Sequence, residues 1–305
     1  EVQRQFGLET LAFQPLSAGV GSRTSASLRN QADVLQGQRF GESALECFDR
    51  VQALLRQMPE GRVLFQVVVP SDDEQGLFEG LSGLLKTAAL ENPSFAGQLI
   101  ATESVTAQEL GRRLLTEMQR GRDAMVRYER GARKVRRWRE LADQRDASPS
   151  AFKEGCVYLI TGGLGGLGTA FTRDILERAA GARVVLTGRG PLTAERVAAL
   201  EALRADHGRV AYRQMDLGDP DEVRRVVASI RDEYGRLDGL LHSAGMTSDA
   251  FLVKKGGAEF RAVLAPKVGG TIHLDDATRG VELDFFVAFS SIAGAMGNAG
   301  QSDYA

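Results

Sequence analysis

The 305-residue sequence contains only two cysteines, Cys47 and Cys156, and they sit in no C-x-x-C pattern. That excludes a disulfide framework and argues against structural zinc, so no metal is expected. One-sided charge is also missing: 38 basic residues face 40 acidic ones, a formal net charge of −2. Such a balance gives no global electrostatic reason to expect nucleic acid as a partner. No apolar run approaches the roughly 18 residues of a spanning helix, and the opening EVQRQFGLET lacks a basic-then-apolar signal pattern. The expectation is a cytoplasmic protein with no membrane partner. Its first residue, Glu1, fits a piece of a longer chain.

Glycine, in contrast, is abundant, with 35 in the chain. Glycine is expensive inside helices and strands and is kept for backbone conformations that other residues avoid. Of these glycines, 22 lie from Gly155 onward and five fall in the single stretch Gly162–Gly168. The length exceeds the usual single-core limit of roughly 250–300 residues, so two domains or subdomains are expected.

Residues 1–40 are rich in Gln, Ser, Gly and Arg and read as a linker or extended arm. From Ser43 to Met58 the residues Leu45, Phe48, Val51, Leu54 and Leu55 recur at helical spacing, and Arg62–Pro70 is a short β-branched run typical of a buried strand. A helix over Glu74–Glu91, a strand over Gly97–Ala101, a helix over Ala107–Arg120 and strands over Ala124–Tyr128 and Lys134–Trp138 follow. Leu141–Gly155 is polar and aperiodic, which places the subdomain boundary there, between 41–148 and 149–305. Beyond it, strands over Cys156–Thr161, Ala182–Thr187, Val210–Met215, Gly239–Ser243 and Asp284–Ser290 alternate with helices from about Gly166, Thr193, Pro220 and Glu259. This alternation predicts an α/β fold, a doubly wound parallel sheet with helices on both faces.

Between the first strand and helix of this half lies Thr161-Gly162-Gly163-Leu164-Gly165-Gly166-Leu167-Gly168, with G-x-G-x-x-G at Gly163, Gly165 and Gly168. Glycine serves there for a tight turn, for close approach of backbone to a pyrophosphate, and for close packing of helix on strand. The strand before and helix after are the context that the dinucleotide fingerprint demands. The second strand ends Leu186-Thr187-Gly188-Arg189, with no acid to bond a ribose 2′-hydroxyl. An arginine at that tip pairs instead with a 2′-phosphate, so the expected cofactor is NADPH rather than NADH. The missing acid also weakens a competing reading as an S-adenosylmethionine-dependent methyltransferase.

The third, fourth and fifth strands end in Met215-Asp216-Leu217, His242-Ser243-Ala244-Gly245 and Phe289-Ser290-Ser291, at the edge where open α/β sheets bind ligands. Tyr304 follows Ser291 by 13 residues, and Lys267, in Ala-Pro-Lys-Val, precedes it by 24. Together TGGLGGLG, LTGR, MDL, HSAG, APKV, FSSIAG and GQSDYA closely resemble the ketoreductase domains of modular polyketide synthases, in the short-chain dehydrogenase/reductase superfamily. The first half, through Gly80–Ile100 and Met125–Trp138, resembles that family's preceding structural subdomain, a degenerate half-Rossmann unit, in synthases whose acyltransferase acts in trans.

The resemblance implies NADPH-dependent reduction of a 3-oxoacyl thioester, carried by phosphopantetheine on an acyl carrier protein, to the 3-hydroxyacyl thioester. The partners are that carrier and the other domains of a polyketide synthase. Tyr304 is then the proton donor, Lys267 the cation that lowers a phenol pKa ordinarily near 10, and Ser291 a hydrogen-bond donor to the substrate oxygen. Thr161, Gly163, Gly165, Gly166, Leu167, Gly168, Gly188, Arg189, Asp216, Leu217, Ser243, Ala244 and Gly245 are the expected cofactor-binding residues. The 13-residue separation selects Ser291 over Ser290. The alternative is a noncatalytic domain that keeps the fold, and the cofactor site with it, as architecture in a megasynthase.

Stereocontrol follows from two positions. B-type members of the family carry Leu-Asp-Asp shortly after the HxAG segment, where this chain has Thr247-Ser248-Asp249. A-type members carry a tryptophan eight residues before the tyrosine, where this chain has Met296. Asp249 and the missing tryptophan imply a B-type product. The family also continues past the tyrosine with an asparagine, a helix and a sixth strand, so the resemblance implies a catalytic subdomain truncated after Tyr304. His207, His242 and His273 are scattered and receive no role. The basic run from Arg127 to Arg139 reads as a solvated face, with docking of an acidic acyl carrier protein as the functional alternative and nucleic acid last.

Overall fold

The computed structural model describes residues 26–57, 61–71, 73–120, 123–140 and 150–305. It opens with helix α1 (Ala26–Gln57), so the arm expected over 1–40 is already helical from Ala26, while residues 1–25 lie outside the described residues. Phe40, Ala44, Cys47, Phe48, Val51 and Leu55 line its buried face, and Gly37 comes so close to Ile272 that a Cβ would lie 2.4 Å from the Ile272 Cδ1. A glycine contact leaves no hydrophobic periodicity in the sequence, which is why this part of the helix reads as irregular.

The first sheet has the order β1-β2-β3-β4, built from β1 (Val63–Pro70), β2 (Phe95–Thr102), β3 (Met125–Glu129) and β4 (Ala132–Val135). β1, β2 and β3 run parallel, and β4 returns antiparallel through Arg130 and Gly131. A 3₁₀ segment (Asp73–Gly80) leads into α2 (Leu81–Glu91), which divides the single helix expected over 74–91; α3 (Ala107–Arg120) connects β2 to β3. Gly97 lets α2 settle on β2, since a Cβ there would meet the Leu85 Cβ at 2.6 Å. The strand expected over 134–138 begins two residues earlier and ends at Val135. The polar stretch from 141 to 149 lies outside the described residues.

The second sheet is fully parallel, in the order β7-β6-β5-β8-β9. Its strands are β5 (Val157–Thr161), β6 (Arg183–Gly188), β7 (Val210–Gln214), β8 (Gly239–His242) and β9 (Phe285–Ala288). The helices are α4 (Gly166–Arg178), α5 (Ala194–His207), α6 (Pro220–Tyr234), α7 (Gly257–Lys267), α8 (Gly269–Thr278) and the short α9 (Ile292–Met296). Every residue of β5 is buried, because the strand packs on both faces. Tyr158 and Ile160 join Ile175, Leu176, Leu200 and Leu203 on one side, while Val157 and Leu159 join Val223, Val227, Ile230 and Leu274 on the other. This is the doubly wound fold, and the strand order reverses between β5 and β8, where ligands bind in such sheets.

The two halves meet over the segments that border the site. Phe48 of α1 stacks on Phe260 of α7 with ring centroids 4.7 Å apart, and Gln52 Nε2 donates to the carbonyls of Leu252 (2.6 Å) and Lys255 (2.9 Å). At the end of α2, the Glu91 carboxylate accepts from the N–H of Leu252 (2.6 Å) and of Gly300 (2.9 Å). Within the same helix Gly83 abuts Ala305, so that a Cβ there would lie 2.2 Å from the Ala305 carbonyl carbon. The basic run is largely committed to neighbours: Arg127 pairs with Glu79, Lys134 with Glu129, and Arg133 and Arg137 with Asp123. No helix among the described residues is long and apolar enough to cross a membrane.

Candidate active site

The turn Thr161–Gly168 is shaped by what its glycines allow. Gly162 has φ +65°, and a Cβ on it would come within 2.8 Å of the Ala244 Cα. At Gly163 a Cβ would meet the Leu186 Cβ at 2.6 Å, and at Gly168 it would meet the Gly163 Cα at 2.6 Å. The turn is fixed by the N–H of Gly163 donating to the Thr187 carbonyl (3.0 Å) and that of Gly165 to the Gly162 carbonyl (2.9 Å). Among the described residues no side chain caps α4 at Gly165 and nothing approaches Gly166 closely. The first-turn N–H groups are thus free for the oxygens of an anion. These observations fit a dinucleotide pyrophosphate. Arg189 is exposed just beyond the tip of β6 and, among the described residues, forms no ion pair. Asp216 accepts from the Gly218 N–H at 2.9 Å, and Leu217 is buried under Gly270.

At the strand reversal, β5 and β8 are cross-linked by side chains. Ser243 Oγ donates to the Thr161 carbonyl at 2.7 Å, and the Ala244 N–H donates to Thr161 Oγ1 at 3.3 Å. His242, fully buried, places Nδ1 2.7 Å from Thr161 Oγ1 and Nε2 3.0 Å from the Pro266 carbonyl oxygen. A carbonyl only accepts, so Nε2 carries the hydrogen and Nδ1 accepts from the threonine hydroxyl. Burial, assisted by the charge of Lys267, pushes the His242 pKa down to about 4. The imidazole is neutral at pH 7 and ties the residue before Lys267 to β5.

Lys267 ends α7 and extends its stem over Gly245, where a Cβ would lie 2.9 Å from the Lys267 Cε. Its Nζ donates to the Phe289 carbonyl at 3.0 Å, and burial lowers its pKa from the ordinary lysine value. Lys267 and Tyr304 line one cavity of about 260 Å³, together with Leu167 from the glycine turn, Ser243, Gly245, Met246, Thr247, Phe289 and Ser290. The cavity thereby joins the glycine turn to the end of the chain.

Residues 156–305 match the family model described as the KR domain. The chain belongs to the KR domain family of polyketide synthases. It is 42% identical over 312 aligned residues to polyketide synthase PksL of Bacillus subtilis (strain 168), covering 99% of this chain and 7% of PksL. Polyketide synthase PksN of the same organism is 41% identical over 88% of this chain and 5% of PksN. A solved ketoreductase domain from the bacillaene assembly line superposes with a TM-score of 0.83 at 38% identity, over 88% of this chain and 64% of that one. The chain therefore spans a small part of the curated relatives it matches. KR domains are oxidoreductase domains that bind NAD(P)H.

Within this KR domain not every anticipated residue reaches the cavity. Ser291 caps α9, its Oγ accepting from the Ala293 N–H at 3.2 Å, and it is Ser290 that lines the cavity wall. Asp249 and Met296 are exposed and away from that wall; Asp249 accepts from Gln301 Nε2 at 3.1 Å on both carboxylate oxygens. Met246 lines it without having been noted in the sequence, Thr247 and Phe289 line it although they carried no role in the sequence beyond their motifs, and His242 braces it from behind. His242 sits in the HSAG segment at a strand end, the one signal that pointed to it.

Proposed function

We propose that this KR domain reduces a 3-oxoacyl thioester, presented on the phosphopantetheine arm of an acyl carrier protein, to the 3-hydroxyacyl thioester with NADPH. The observation that carries this reading is the meeting of Lys267 and Tyr304 in one cavity that also reaches Leu167 of the glycine turn. Thr161–Gly168 and Ser243–Gly245 hold the dinucleotide, with Arg189 on its 2′-phosphate. When bound, NADPH supplies the hydride for the carbonyl carbon.

As the carbonyl becomes an alkoxide, its oxygen gains negative charge, and the Tyr304 hydroxyl donates the proton that neutralises it. The Lys267 ammonium, held by the Phe289 carbonyl, provides the positive field that favours the phenolate left behind. Ser291 assists at the same oxygen once it exchanges its cap for the substrate. Asp249 and the absence of tryptophan at position 296 favour the B-type alcohol, which chiral analysis of the product tests. The reaction itself is tested by following NADPH oxidation with a 3-oxoacyl cysteamine thioester or the acyl carrier protein adduct; a folded, cofactor-binding chain that turns over neither defeats the proposal.

A further inference from the structure

Lys255 and Asp303 form an ion pair in which both side chains are almost wholly withdrawn from water, at 0% and 1% exposure. Lys255 Nζ donates to Asp303 Oδ2 at 2.6 Å and to the Ser248 carbonyl at 2.5 Å. The other carboxylate oxygen, Asp303 Oδ1, and the neighbouring Ser302 Oγ are buried with no hydrogen-bond partner among the described residues. Burying two charges is expensive, and a pair with one oxygen left unsatisfied is a poor way to stabilise a fold.

Its location is the clue. Asp303 immediately precedes Tyr304. Lys255 ends the segment that leaves Met246 and Thr247 at the cavity wall. The backbone of Lys255 is held in turn by the first half, through Gln52 Nε2 donating to its carbonyl at 2.9 Å. The turn that carries Tyr304 is also held by the Gln301 carbonyl, accepting from the N–H of Tyr304 (3.1 Å) and of Ala305 (2.9 Å), by Glu91 on the Gly300 N–H, and by Gly83 packing against Ala305, while the Lys255–Asp303 pair fixes the residue next to the tyrosine. Helix α1, Lys255, Asp303 and Tyr304 thus form one continuous chain of contacts.

We propose that Lys255 and Asp303 are positioning residues that aim the Tyr304 hydroxyl into the cavity, so that the buried pair supports rate and not stability. This rests on the reading of Tyr304 as proton donor. Two variants separate the roles in the full chain: Asp303→Asn, which keeps the shape and removes the charge, and Lys255→Met with Asp303→Leu, which replaces the pair by packed apolar groups. NADPH binding, thermal melting, kcat and KM are measured for each, with amide hydrogen exchange over residues 297–305.

The expected result is an unchanged NADPH Kd and substrate KM, with kcat down by about tenfold or more in both variants, since small misplacements of a reacting group cost rate steeply. The apolar pair is expected to melt at or above the wild-type temperature while kcat stays low. A wild-type kcat in the apolar double variant overturns the proposal. Should that variant not fold, Asp303→Asn decides alone, and a normal kcat there overturns it. Should the unsubstituted chain reduce no thioester, the proposed reaction fails separately. Amide exchange then judges the pair: faster exchange at 300–305 in Asp303→Asn supports it, and unchanged exchange overturns it.

Discussion

His242 Nε2 lies 3.0 Å from the carbonyl oxygen of Pro266, the residue before Lys267. With Nδ1 on Thr161, the ring is a neutral strut between β5 and the end of α7, and protonation would turn its accepting nitrogen into a donor facing a hydroxyl that must then rotate away. The folded pKa of about 4 lies below the ordinary value of 6.5, so the unfolded chain binds the proton more readily. The contribution is fully present above pH 6.5 and is lost as pH falls from 6.5 towards 4. The slope is about 1.4 kcal/mol per pH unit in that window. Urea denaturation as a function of pH checks this, and His242→Gln is expected to flatten the dependence.

The glycine turn separates two kinds of glycine. Gly163→Ala and Gly168→Ala each drive a Cβ to within 2.6 Å of other atoms and are expected to destabilise by about 1–3 kcal/mol and to weaken cofactor binding. Gly166→Ala meets nothing within 4 Å and is expected to leave stability unchanged. Chemical denaturation and cofactor titration of the three variants test the contrast.

Tyr304→Phe keeps the ring and removes the proton. Turnover is expected to fall by about 100-fold or more, the usual contribution of a positioned general acid, with NADPH affinity retained. Ser290→Ala and Ser291→Ala decide which serine serves the substrate oxygen. A larger kcat loss for Ser291→Ala is expected, and a larger loss for Ser290→Ala would reassign that role to the serine on the cavity wall.

Arg189 is exposed and without an ion-pair partner among the described residues. Arg189→Ala is expected to weaken NADPH by about 10- to 100-fold, as for loss of a charge-assisted contact, and to leave NADH nearly unaffected. Parallel titrations with both cofactors measure the difference; equal effects would remove the phosphate assignment.

Glu91 anchors two separate loops by accepting the Leu252 and Gly300 N–H groups. Glu91→Ala leaves both donors without this acceptor and is expected to cost about 1–3 kcal/mol in stability. Because Gly300 lies in the turn leading to Tyr304, kcat should fall as well. Denaturation midpoints and steady-state kinetics report the two effects separately.

The sequence alone determined the doubly wound half. Strand-and-helix alternation and the glycine turn are local signals, and the steric demand at Gly163 and Gly168 is met within a few residues of chain or on the adjacent strand. The resemblance also placed Lys267 and Tyr304, which the tertiary structure brings to one cavity. What only the tertiary structure decided lies in contacts between distant segments. The Lys255–Asp303 pair closes 48 residues of chain, and the Glu91 and Gln52 contacts span more than 150. No periodicity records such contacts: His242 in the sequence is a lone histidine, Lys255 one of two adjacent lysines, and Gly37 a residue in a polar stretch. Their roles arise because chain folding removes water and sets each opposite a particular partner, and that depends on the path of the whole backbone.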